Sequence, residues 1–579
     1  MEYNLNFPAN KKQIVDILER LCGLGKTRGT LQLLAKMKAG GDKQFTVIAS
    51  PTLVLSEQSY NNFYDELCKL MPVTEVHNHL RIIDKDHVPH VGTALDDLYT
   101  EVVKDKLFTG VVFITHDSLF NENTTLLLRD ARVVIDECPT SAISMVTLPV
   151  DNKHIKQVLK YCDRVEFTYG KDNYGHTQKC EKVTLKQDTA TTFEVATIIR
   201  NYDEGHNRLV SEEYIDLMRF LQCDYSITYY TTGTTHLFQA INSKGIRNVL
   251  HNSKYLTVLG ANIRDSLFGI LAEERYGYTL NQITDFNGVK ADAKHEHSVK
   301  VIQYLADGHN ISNSLKDQRV CDALVGRTEE HTVRDDMYIQ AVKELGSDFV
   351  FCVNNEDGKK LSRPVAKQYN EYKEKLRDEK KYIHEISTHV HGRNDFNHLH
   401  KVAIVAVANL SNEEISLLKA AAFDLGVSAD RLIYCALVDR YLDPAYQVAL
   451  RCSLRNAYDP MTSVECVLFV GDSRVTEYLH PRFSGSFEVA DRHKYKRVSD
   501  EAKDFEKETR YKTVCTVLLE AQLQAGKPRT NRLTMPQILE NTGISKRTFD
   551  RMKVEFADDL IARGLWKPNR KRQLPKDKK

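Results

Sequence analysis

The residues best equipped for chemistry are Gly23-Leu24-Gly25-Lys26-Thr27. Apolar-rich Ile14-Val15-Asp16-Ile17-Leu18 precedes them, and a helical run, Leu31-Gln32-Leu33-Leu34-Ala35-Lys36, follows. Apolar segment, glycine turn and helix stand in the order a phosphate cradle requires. Glycines let backbone N–H groups close round a β-phosphate, the lysine reaches β and γ oxygens, and the threonine hydroxyl ligates Mg²⁺. Arg20 stands where the longer pattern has Gly or Ala, so a glycine turn that merely precedes a lysine is the competing reading. A second signal is Arg132-Val133-Val134-Ile135-Asp136-Glu137-Cys138-Pro139, a short β-branched run ending in two acids. A buried parallel strand delivers carboxylates in this way at its C-terminal edge. Asp136 would then hold Mg²⁺ and Glu137 would polarise an attacking water. An Asp-Glu pair is also a common loop start, and its weight here comes from pairing with Lys26.

The two segments resemble motifs I and II of the superfamily-2 (DEAD/DEAH-like) helicases. The resemblance covers about residues 10–480 and implies a motor of two tandem RecA-like α/β domains with ATP in the cleft between them. Val47-Ile48-Ala49-Ser50-Pro51-Thr52-Leu53 is similar to motif Ia, and Phe113-Ile114-Thr115-His116-Asp117-Ser118-Leu119 to motif Ib. Pro51, Thr52 and Thr115 are thereby implied to grip nucleic-acid phosphates. Leu256-Thr257-Val258-Leu259-Gly260-Ala261-Asn262 resembles motif III, with Gly-Ala-Asn in place of Ser-Ala-Thr. Ser387 to Asp395 is similar to motif V and implies nucleic-acid contacts from Thr388, Gly392 and Asn394. The family's Gly-x-Asp spacing is not kept, because Asn394 lies two after Gly392. Gln447 to Arg455 looks like motif VI, which implies catalytic roles for Gln447, Arg451 and Arg455, the arginines reaching across the cleft to the γ-phosphate. The two arginines are four apart, which places them on one face of a helix; an amphipathic surface helix is the competing reading. The His-Gly-Arg-Asn-Asp and Gln-Val-Ala-Leu-Arg stretches are most similar to helicases of large DNA phages and viruses, with herpesvirus-type origin-binding helicases as a further relation. The short segment upstream of Gly23 has no room for the adenine-reading glutamine segment of DEAD-box RNA helicases, which favours DNA.

The elements that must position these residues follow from length and patterning. A chain of 579 residues exceeds one core, and 42% hydrophobic with 27% charged residues is an ordinary globular composition. Apolar runs at Val299 to Tyr304, Phe349 to Asn354 and Val402 to Val407 alternate with helical segments, which favours a second parallel sheet. The expected fold class is α/β: two tandem RecA-like parallel-sheet domains plus a small C-terminal all-α helix-turn-helix domain. Expected boundaries are 1–275 with an insertion at about 145–245, then 276–490, a charged connector at 491–525, and a basic domain at 526–579. The insertion carries tyrosine-bearing stretches, Tyr169 to Tyr174 and Tyr225 to Tyr230; it is read as a structural insertion, against a strand-separating pin or stacking platform.

The last segment fits a helix-turn-helix. Thr534 caps the first helix, Gly543 supplies the turn and Ser545 caps the second. Ile538, Ile544, Phe549 and Met552 fall inward, whereas Lys546, Arg547, Thr548 and Arg551 face outward toward a major groove. Residues 527–579 hold fifteen Lys or Arg against six Asp or Glu, a net of +9, which leaves −8 for the rest of the chain. Such a terminal module attracts phosphates; a protein-docking domain is the alternative. No run of eighteen apolar residues and no secretory signal is present, so membrane partners are not expected and a cytoplasmic location, in the host if phage-encoded, is. The cysteines show neither C-x-x-C pairs nor zinc spacing. The expectation is an ATP- and Mg²⁺-dependent DNA helicase or translocase in replication or recombination, with single-stranded or duplex DNA and replication proteins as partners. An ATP-switched DNA-binding regulator and a duplex translocase without strand separation are the rivals.

Overall fold

The computed structural model describes residues 13–23, 25–121, 124–140, 144–150, 152–171, 177–206, 211–222, 226–232, 235–284, 293–388, 395–455, 464–525, 533–541 and 545–565. Strands β1 (Ile14–Glu19), β2 (Thr46–Ser50), β3 (Leu80–Ile82), β4 (Val111–Thr115) and β5 (Arg132–Asp136) are short and rich in β-branched residues. Val47, Val112, Val133 and Ile135 are completely shielded, as strands covered by helices on both faces must be. The chain then leaves for β6 (Ser144–Val150), β7 (Cys162–Lys171), β8 (Thr177–Leu185), β9 (Ser226–Thr232) and β10 (Thr235–Asn242), which form a separate antiparallel sheet in the order β6-β10-β9-β8-β7. It returns with β11 (Tyr255–Gly260) and β12 (Thr279–Gln282), completing a parallel sheet in the order β12-β1-β11-β5-β2-β4-β3. The second parallel sheet uses β13 (Val299–Gln303), β14 (Phe349–Cys352), β15 (Ile383–Ile386), β16 (Lys401–Ile404), β17 (Cys466–Val470) and β18 (Phe487–Ala490), in the order β15-β14-β16-β17-β13-β18. The chain is thus two tandem parallel-sheet α/β domains with an antiparallel sheet inserted in the first and a small helical unit at the end.

Strand register places the chemistry. Leu18 of β1 pairs with Leu259 of β11, and Leu259 pairs with Asp136 of β5. The ends of these three neighbouring strands therefore deliver the glycine turn, Gly260 and the acidic pair to one edge, where parallel α/β sheets collect ligands. After the turn, α1 (Lys26–Ala39) packs against α2 (Leu53–Cys68), which follows β2.

Three features differ from the expected boundaries. β12 pairs with β1, so the first sheet takes an edge strand from beyond residue 275. Sequence could not reveal this, because a parallel edge strand is specified by a partner far away in the chain. Helices Asn412–Leu425 and Ala429–Leu437, expected in the second domain, insert Leu417, Leu418, Leu425 and Leu432 into the first domain's core. Each buried leucine contributes about 1.5–3 kcal/mol, enough in sum to fasten the domains on that side. Finally, most of the expected connector is one helix, Val498–Ala525. Its Val514, Val517 and Leu518 share a core with Ile538, Leu539, Phe549 and Met552, so this helix belongs to the C-terminal unit.

Within that unit, helices Met535–Asn541 and Lys546–Glu555 flank residues 542–544. Thr534 sits at the first helix start, where Gln537 Oε1 accepts from the Thr534 N–H at 2.9 Å. No helix among the described residues is long and apolar enough to cross a membrane.

Candidate functional site

Gly25 adopts a left-handed conformation, φ 69°, immediately before α1, and Gly23 is left-handed too, φ 84°. Side chains other than glycine rarely tolerate such angles, which is why glycine stands at both. The Lys26 ammonium donates to the loop's own carbonyls, Arg20 O at 2.9 Å and Leu21 O at 3.0 Å. A lysine held this way is poised to exchange those acceptors for phosphate oxygens. Arg20 does not disturb the cradle. Its guanidinium turns the other way and donates to Ile283 O at 3.2 Å and Thr284 O at 2.8 Å, tying the loop to the chain that leaves β12.

Thr27 Oγ1 donates to Asp136 Oδ1 at 2.6 Å, so the two motifs predicted to share one site do meet. Burial and the neighbouring Glu137 charge push the Asp136 carboxyl up to about 6, against the opposing pull of Thr27 and Lys26. His116 fixes the strand end through a 3.0 Å contact between Nε2 and Asp136 O. Glu137 is left-handed at φ 65°, a conformation that costs about 1–3 kcal/mol without glycine and that surrounding structure must enforce. It turns the second acid out of the strand direction and into the cleft.

A cavity of about 510 Å³ is lined by Gly23, Gly25, Lys26, Thr27, Asp136, Glu137, Gly260 and Ala261 from the first domain, and by Asp443, Gln447, Leu450, Arg451 and Arg455 from the second. The predicted phosphate, metal and arginine residues are therefore gathered in one cleft, although Leu24 lies outside the described residues. One local expectation is corrected. The helix Asp443–Ala449 stops at Ala449, Leu450 caps it, and Arg455 sits in a separate short 3-10 turn, Ser453–Arg455. The arginines consequently do not share a helical face; it is the turn after the helix that aims both at the cavity. Arg451 is only 4% exposed, and burial followed by the neighbouring Arg455 charge lowers its pKa.

The domains are joined tightly across this cleft. The Cys22 N–H donates to Tyr446 Oη at 3.3 Å, the Leu267 N–H to Asp439 Oδ2 at 2.9 Å, and the Arg482 guanidinium to Asn262 Oδ1 at 3.5 Å. Sequence reasoning missed Asp443, Tyr446 and Arg482. Asp443 had one available signal, since it precedes Gln447 by one helical turn.

Pro51, Thr52 and Thr115 lie together in a second cleft of about 510 Å³, with Asp84, Lys85, Ser118 and Asn121. Thr52 and Thr115 each cap a helix, accepting from the Leu55 N–H at 3.3 Å and the Ser118 N–H at 3.3 Å. Thr388 lies after β15, the edge strand of the second sheet, and lines neither cleft. Gly392 and Asn394 lie outside the described residues, as do the side chains of Arg547 and Arg551; Lys546 is exposed at the start of its helix. In the insertion, Tyr229 is buried and bonded to His236 Nδ1 at 2.7 Å, the position of a core tyrosine rather than of a stacking platform.

No family model and no curated protein matches the chain. Solved structures similar to it include S. tokodaii Xpd4, with TM-score 0.44 and 13% identity over 82% of this chain and 96% of that one. An apo XPD structure has TM-score 0.43 and 12% identity over 83% and 97% of the two chains. Helicase MrfA bound to DNA has TM-score 0.30 and 11% identity over 82% and 48%.

Proposed function

We propose that this chain is an ATP-dependent DNA helicase or translocase. One observation carries the reading: Thr27 and Asp136 meet at 2.6 Å in a cavity that arginines 451 and 455 of the other domain also line. Two protein oxygens fit Mg²⁺, which usually keeps its remaining positions for water and phosphates, and no larger cluster of metal-ligating side chains occurs among the described residues. Thr27 and Asp136 would hold Mg²⁺; when bound, the ion neutralises charge on the phosphate chain. Lys26 moves from the loop carbonyls to β and γ oxygens. Glu137 orients the attacking water and accepts its proton, while Arg451 and Arg455 stabilise the charge that develops on the transferred phosphoryl. Because the arginines come from the second domain, turnover depends on cleft closure, and repeated closing and opening moves the chain along a strand held at Pro51, Thr52 and Thr115.

The basic C-terminal unit, through Lys546, Arg547 and Arg551, brings this motor to a duplex, consistent with a role at a replication origin or in recombination and with replication proteins as partners. The test is ATPase rate with single-stranded DNA, duplex DNA and RNA side by side, followed by strand-displacement and triplex-displacement assays. DNA-stimulated turnover with strand displacement supports a helicase. Turnover on duplex without displacement supports the translocase form. ATP binding with no DNA-stimulated turnover would refute the motor and leave an ATP-switched DNA-binding regulator.

A further inference from the structure

Asp443 enters the nucleotide cavity from the second domain, at the first residue of the helix Asp443–Ala449, and belongs to none of the motifs named above. Gln447, one turn later, donates through Nε2 to Asp443 Oδ2 at 2.9 Å. Tyr478 donates to the other oxygen, Oδ1, at 3.4 Å. Tyr478 is in turn held by Arg482, whose guanidinium lies 3.7 Å from the Tyr478 ring centroid and reaches Asn262 Oδ1 across the cleft. The carboxylate is thus held at Oδ1 by Tyr478 and at Oδ2 by Gln447.

The consequence lies in hydrogen-bond polarity. A carboxylate accepts only, whereas a glutamine amide has a donor end and an acceptor end. Bonding to Asp443 therefore commits the NH₂ end of Gln447 to that carboxylate and leaves Oε1 as the amide's acceptor in the cavity that both residues line. An attacking water needs acceptors for its protons, and Glu137 together with Gln447 Oε1 supplies two.

We infer that Asp443 is a positioning residue for ATP hydrolysis: it fixes the amide of Gln447 so that the carbonyl oxygen, not the NH₂ group, is presented to the attacking water. This rests on the ATPase reading above. An asparagine at 443 keeps the shape but offers both a donor and an acceptor, so the Gln447 amide can turn over, and a misoriented group next to the reacting atoms costs on the order of 100-fold.

The experiment is steady-state ATPase on the full chain with DNA, for wild type, Lys26→Ala, Asp443→Asn, Gln447→Leu and the Asp443→Asn/Gln447→Leu double variant. Asp443→Asn is expected to lower kcat about 10- to 100-fold with KM for ATP within about twofold of wild type. The double variant should be no slower than Gln447→Leu alone, because Asp443 acts through an amide that is then gone. A merely structural role would make the two losses multiply. Wild-type kcat in Asp443→Asn, or multiplying losses, overturns the inference while Lys26-dependent turnover persists. Absence of Lys26-dependent turnover in wild type overturns the ATPase reading and the inference with it.

Discussion

Replacing Gly23 by alanine separates backbone strain from cleft closure. Both loop glycines are left-handed, so alanine at either costs about 1–2 kcal/mol. Their surroundings differ. A Cβ at Gly25 meets nothing within 4 Å, whereas a Cβ at Gly23 would stand 2.5 Å from the backbone carbonyl oxygen of Arg455 in the second domain. Ordinary contact begins near 3.4 Å, so the Arg455 segment must retreat by about 0.9 Å. That carbonyl is main chain in a packed turn and cannot swing aside like a side-chain tip, so the cleft itself has to widen. A displacement near 1 Å at reacting groups costs about 100-fold, which is the expected fall in kcat for Gly23→Ala. The structural assay is hydrogen exchange without nucleotide. In Gly23→Ala the Cys22 amide, bonded to Tyr446 Oη across the cleft, should lose protection, whereas in Gly25→Ala it should keep it. Wild-type protection at Cys22 together with wild-type turnover in Gly23→Ala would refute the claim that this contact sets the closed cleft.

Lys26→Ala should abolish ATP turnover with little change in thermal stability, since among the described residues the lysine's hydrogen bonds go to loop carbonyls; circular dichroism melts and an ATPase assay check it. Asp136→Asn should remove turnover yet stabilise the nucleotide-free protein. The folded pKa of Asp136 is raised from 3.8 to about 6, so the wild type loses stability as pH rises through 6, by up to about 3 kcal/mol. The variant's gain should be full at pH 7 and vanish below about pH 4; urea melts at the two values test this, and an equal gain at both would contradict the buried-charge argument. Charge removal at Lys546, Arg547 and Arg551 together should weaken duplex binding roughly uniformly across sequences and lower the salt slope by about 3, while basal ATPase stays unchanged. An unchanged slope would indicate that the unit docks protein. Deleting residues 527–579 is a poorer probe, because it would bare Val514, Val517 and Leu518 of the preceding helix.

The sequence by itself determined the local chemistry. Glycines at 23 and 25 turn the chain between β1 and α1, and Lys26 and Thr27 open that helix, an order set by turns within a few residues. Asp136 and Glu137 were legible for the same reason, as a polar pair ending a run of buried β-branched residues. Tertiary structure decided what faces them. Arg20, a misfit in the phosphate pattern, is explained by carbonyls at residues 283 and 284 that only folding brings near. Asp443 and Arg482 look like ordinary surface charges in the sequence, and helices 412–437 look like second-domain helices. Asp443 shares its cavity with Lys26 of the first domain, Arg482 reaches Asn262, 220 residues away, and the helices enter the first domain's core; such contacts are set by strand order and domain packing, which neither residue type nor local periodicity encodes.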